Sequence, residues 1–64
     1  DVLAKLPAHY REILLLRYDN GYSVVELAQI LGMTQSGVRK LIGRAKKKLE
    51  CLLEENDIAK DNNG

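Results

Sequence analysis

Apolar residues fall into three blocks along the chain, each repeating at helical rather than strand spacing. In the first, Ile13, Leu14, Leu15 and Leu16 make a helix that is apolar around much of its circumference, as suits a helix wedged between others. Leu6-Pro7 opens it, with Pro7 expected at the first helical position, where its fixed φ suits the helix and no hydrogen bond is lost. The helix continues through His9 to Tyr18, and Asp19-Asn20-Gly21 ends it, because glycine and asparagine tolerate left-handed φ. Residues 1–5 are expected to end an earlier helix, with Val2 and Leu3 turned to the core.

The second block is short. Ser23-Val24-Val25-Glu26 has the spacing of a capping box, flanked by Tyr22 and Leu27 at staple positions. Val24, Leu27, Ala28 and Leu31 follow at helical intervals, and Gly32 suits the left-handed position past a helix of about two turns. Met33 is expected to pack inward in the turn, and Thr34 to cap the next helix. That third block is long: Val38, Leu41, Ile42, Ala45, Leu49, Leu52 and Leu53 mark one buried stripe. The opposite face carries Gln35, Ser36, Arg39, Lys40, Gly43, Lys46 and Lys47. From Asn56 the chain turns polar and ends in Asp-Asn-Asn-Gly, which predicts fraying. The fold class is therefore all-α. A small three- to four-helix bundle is expected over residues 1–55, containing a helix-turn-helix with a long C-terminal recognition helix, followed by a flexible polar tail over 56–64.

Sixty-four residues allow one domain with one core and only modest stability. Cys51 has no second cysteine for a disulfide or a cysteine zinc site, so a reducing, cytoplasmic setting is expected. His9 stands without companions at ligand spacing, and no metal or other cofactor is expected. No apolar run reaches the ~20 residues that a bilayer needs. No carboxylate pair, nucleophile with a base or phosphate-cradling glycine loop is present, which argues against an enzyme. The start at Asp1, without an initiator methionine, suggests a domain from a longer protein.

Charge gives the third helix its meaning. Arg39, Lys40, Arg44, Lys46, Lys47 and Lys48 lie between Thr34 and Leu49 with no acid among them, while Glu50, Glu54, Glu55, Asp57 and Asp61 follow against Lys60. A short helix, a tight turn and a capped basic helix fit a reader of the DNA major groove, and cations on one exposed face displace condensed counterions. The alternative is a solvated lysine face, which Lys46-Lys47-Lys48 fits well. Arg39 and Lys40 fit it less well, since they share the first turns with Gln35 and Ser36, where a docked helix meets base edges. Gly43 costs ~1 kcal/mol relative to alanine inside a helix. Close approach of DNA or a partner and simple tolerance explain it equally well.

The same residues resemble region 4 of bacterial sigma factors, especially the extracytoplasmic-function class. Leu6-Pro7 with Arg11-Glu12-Ile13 through Arg17-Tyr18, then Gly21-Tyr22-Ser23, Glu26-Leu27-Ala28 and Leu31-Gly32-Met33-Thr34, follow that family's pattern. Val38-Arg39, Arg44-Ala45 and Leu49 complete it. The family often has glycine and threonine before the valine where this chain has Ser36-Gly37, so a hydroxyl is shifted or lost.

The resemblance implies an all-α promoter-binding domain whose third helix enters the −35 element. Gln35, Ser36, Arg39 and Lys40 fall at the family's base and nearby phosphate contacts, and Arg44 at a position near the DNA backbone. Lys47 is expected as a weaker phosphate anchor, and Ser23 and Thr34 cap helix N-termini that are placed to approach phosphates. The implied partners are double-stranded promoter DNA, the RNA polymerase core through its β-subunit flap, and an anti-sigma factor, with no membrane. Two other readings remain: a LuxR-type response-regulator DNA-binding domain, and a sigma-like module that only binds polymerase or an anti-sigma factor.

Overall fold

Proline has no N–H to give a helix, and in the computed structural model Pro7 stands just outside one. The structure describes the backbone of residues 2–63 and the side chains of residues 2–55. A first short helix, α1, spans Val2–Lys5, and α2 spans Ala8–Leu14. Pro7 is extended (φ −52°, ψ 145°) and its carbonyl accepts from the backbone N–H groups of Tyr10 and Arg11, both at 3.0 Å. It is thus the residue before α2, one place earlier than expected. Leu6, tucked between α1 and α2, is buried, whereas Leu3 is 37% exposed and not a core residue.

Beyond Leu14 the helix widens into a π turn over Leu15–Asp19, a departure from the regular helix expected as far as Tyr18. The Asn20 N–H donates to the Leu15 carbonyl at 3.0 Å, five residues back, and the Tyr22 N–H donates to the Leu16 carbonyl at 3.1 Å. Side chains reinforce the wide turn: the Arg17 guanidinium donates to the Tyr22 carbonyl at 2.9 Å, and the Asn20 amide to that of Leu15 at 3.3 Å. Gly21, at φ 79°, reverses the chain.

Helix α3 spans Val24–Leu31 and has both halves of its capping box. The Glu26 N–H donates to Ser23 Oγ at 3.1 Å and the Ser23 N–H to Glu26 Oε1 at 2.9 Å. Gly32 ends it at φ 65°. The Glu26 carboxyl is held below its ordinary value, first by the Ser23 backbone N–H and then by the Ser23 side chain, against a small opposing effect of burial. A depressed carboxylate contributes stability that is present above its unfolded value and lost as pH falls through the lower folded one. The acid limb of the stability curve is therefore expected to flatten in Glu26→Gln, which keeps the bond without the charge; thermal melts between neutral pH and pH ~3 check this. An acid limb unchanged from that of the parent chain would mean that the box contributes nothing through its charge.

Helix α4 spans Gln35–Asn63 and packs against α1, α2 and α3. The core consists of Leu6, Ile13, Leu14, Leu27, Ala28, Val38, Ile42 and Ala45, with Leu41, Leu49 and Leu52 packed at its edge. The apolar stripe is narrower than its periodicity suggested, since Leu52 packs at the core's edge while Leu53, about 100° round the helix from it, is 46% exposed. Met33 is likewise 37% exposed at the turn rather than fully inside. The backbone of α4 runs on through the segment expected to be a flexible tail, 56–64, as far as Asn63, while the side chains of that segment lie outside the described residues. Among the described residues there is no strand, and no helix is long and apolar enough to cross a membrane.

Candidate nucleic-acid interface

Thr34 starts the interface by fixing where α4 begins. Its Oγ1 accepts from the Gly37 N–H at 3.0 Å and its carbonyl from the Val38 N–H at 3.0 Å, as its residue type foretold. A β-carbon built on Gly37 would lie 3.1 Å from that Oγ1 and 3.4 Å from Met33 Cε. A side chain at this position would press on the cap, which would have to give by a few tenths of an ångström.

With about 100° of rotation per residue, burial of Val38, Ile42 and Ala45 turns a fixed face of α4 outward. Gln35, Ser36, Arg39, Lys40, Arg44 and Lys47 are all exposed, and the last four form no ion pair with any described residue. They are an unneutralised basic surface on one rigid element, reached through the two-turn α3 and the Gly32 turn. Ser23 stands apart at the N-terminus of α3, with its oxygen engaged in the capping box. Both capping hydroxyls accept through oxygen and retain a proton to donate.

Lys46 behaves differently from its neighbours. Its Nζ lies 5.9 Å from the centre of the Tyr18 ring, whose other neighbour is the Arg17 guanidinium at 5.8 Å. Sequence reasoning grouped Lys46 with the basic face; the structure brings it to the rim of an apolar groove. Leu3, Leu14, Leu15, Tyr18, Asp19 and Leu49 form the rest of this groove, of about 450 Å³. Its only sequence signal was the excess of leucine in the first block, which did not say which leucines stay uncovered. Among the described residues no group of histidine, cysteine and carboxylate side chains could hold a metal ion.

The family described as Sigma-70, region 4 matches residues 1–49, most of the chain and every buried core residue. The chain belongs to that family. Region 4 is a DNA-binding, regulatory class rather than an enzymatic one. Over 54 residues, 84% of this chain, the domain is 41% identical to the ECF RNA polymerase sigma factor ShbA of Streptomyces griseus. Over 46 residues, 72% of the chain, it is 39% identical to a Xanthomonas campestris protein named Probable RNA polymerase sigma factor RfaY. These matches span 28% and 12% of the two relatives, so the region 4 domain corresponds to a small part of each. No solved structure matches the chain. The family match favours the sigma reading over the LuxR-type one.

Proposed function

We propose that this region 4 domain binds the −35 promoter element through α4 and, docked on RNA polymerase in the cytoplasm, directs the enzyme to its start sites. The observation that carries the DNA reading is the set of exposed cations on the outward face of a capped helix that form no ion pair with any described residue. In this reading Gln35, Ser36, Arg39 and Lys40 meet base edges in the major groove and the phosphates nearby, and Arg44 and Lys47 meet phosphates. Ser23 and Thr34 sit at helix N-termini, where partial positive charge and a hydroxyl proton favour phosphate oxygens. A single small module makes few phosphate contacts, so its affinity alone is weak and salt-sensitive, and becomes useful when polymerase supplies the remaining contacts.

Support for polymerase docking comes from the apolar groove. A flank that leaves Leu15 at 42% and Tyr18 at 58% exposed suits a protein partner better than DNA, and the β-flap is the occupant we assign to it. Leu15→Glu is expected to weaken binding to a purified β-flap fragment by tenfold or more, roughly the loss of one buried anchor, while leaving duplex binding unchanged. Unchanged flap binding would overturn the assignment and leave the groove to an anti-sigma factor.

The DNA reading is tested by selecting duplexes from a randomised pool with the chain and titrating the recovered sequence against salt. Recovery of one preferred sequence, with affinity falling as salt rises, is the expected result. Flap binding with no duplex recovered would sink it and favour the interaction-only module.

A further inference from the structure

Lys46 and Leu49 are the share of α4 in the apolar groove, and Leu53, four residues after Leu49, extends that face of the helix by one turn beyond it. Leu53 is exposed. Lys47 and Glu54 are seven residues apart, close to two full turns, and so stand on one flank of the same face. Both are exposed, and neither forms an ion pair with any described residue. The face thus has a base at one end of its leucines and an acid at the other, a pattern that complements itself when reversed. The groove agrees with it in charge: Arg17 and Lys46 flank Tyr18 at its basic end, against one carboxylate, Asp19.

We propose that, while polymerase is absent, a second copy of the chain seats on this face with its α4 antiparallel to the first, Leu53 of each copy lying over Leu49 of the other. A two-fold axis makes the two halves of such a contact identical. With Leu49 level with Leu53 of the second copy, Lys47 stands one residue, about 1.5 Å along the helix, from the level of that copy's Glu54. The pair forms twice. A parallel arrangement would instead set Lys47 on Lys47 and Glu54 on Glu54, so charge selects the antiparallel one. Leu15 and Tyr18 border the same face, so pairing covers the groove and competes with the partner assigned to it above. The inference goes beyond that docking assignment and stands or falls without it. One helix face and one groove make a small interface, and a weak, concentration-dependent dimer is expected.

Sedimentation velocity of the chain alone, from micromolar to millimolar concentration, tests this. The mass is expected to rise from one copy to two, with a dissociation constant that increases with salt. Leu53→Lys, at an exposed position, should raise that constant about tenfold or more with the melting temperature unchanged, and Glu54→Lys should raise it several-fold. Exchanging the charges in one chain, Lys47→Glu with Glu54→Lys, should restore pairing. A purified β-flap fragment should dissolve the dimer as it binds. A single-copy mass at every concentration would overturn the proposal, as would a dimer indifferent to both Leu53→Lys and Glu54→Lys. A dimer that persists with the flap fragment bound would overturn the shared groove. If the fragment fails to bind while the variants act as expected, the docking assignment fails and the dimer stands.

Discussion

Leu27→Ala is expected to leave the domain largely unfolded at physiological temperature. Leu27 is fully buried and, with Ile13 and Val38, is among the largest side chains sealed in the core. It joins α3 to α2 and α4 in one apolar cluster of eight buried residues. Removing a buried leucine side chain costs about 2–5 kcal/mol, from lost burial and from the cavity left behind. A core in a domain of this size seldom supplies more than about 3–5 kcal/mol of net stability, so one truncation consumes most of it. Val25→Ala, on the exposed side of the same helix, serves as the control, with a change of a few tenths of a kcal/mol expected. Urea unfolding of the three chains, followed by circular dichroism, decides the matter. Coincident transitions for Leu27→Ala and the parent would show that α3 is not part of the cooperative core.

Arg39→Ala and Lys40→Ala are expected to cost about 1–3 kcal/mol each in affinity for the selected duplex, without changing the melting temperature. Both side chains are exposed and form no ion pair with any described residue, so their removal breaks no ion pair among these residues. If Arg39 pairs with a base edge, its loss relaxes the sequence preference at one position of the duplex. Loss of a phosphate contact instead weakens every duplex alike and lowers the salt slope by about one. Lys48→Ala, one residue and about 100° beyond Lys47, should change little. Equal affinity of all four chains at physiological salt would mean that the basic face of α4 is only a solvated surface.

The sequence displayed the helix-turn-helix clearly because its signals are local. A capping box needs Ser23 and Glu26 three residues apart, a left-handed turn needs Gly32, and an N-cap needs Thr34; each is satisfied within one turn of helix. The π turn was hidden, because Leu15–Asp19 reads as ordinary helix until Arg17 finds the carbonyl of Tyr22 beyond the bend. Leu3 and Leu53 were misplaced for a shared reason: periodicity marks which face of a helix is apolar, while only the other helices decide whether anything covers it. The basic face was legible as a face, from charge and spacing together. Lys46 escaped that reading because its partner, Tyr18, lies far away in sequence.

The unbroken course of α4 has a consequence for how the domain meets its target. One continuous helix carries six cations in its first half, and then the exposed acids Glu50, Glu54 and Glu55. In the field of a polyanion, such a charge-separated rod experiences a torque as well as an attraction. The basic end swings toward the duplex and the acidic end swings away, so that diffusing molecules arrive already pointed the right way round. Reversing the three acids to lysine would strengthen the attraction but weaken the turning moment, and with it the bias in how the domain arrives.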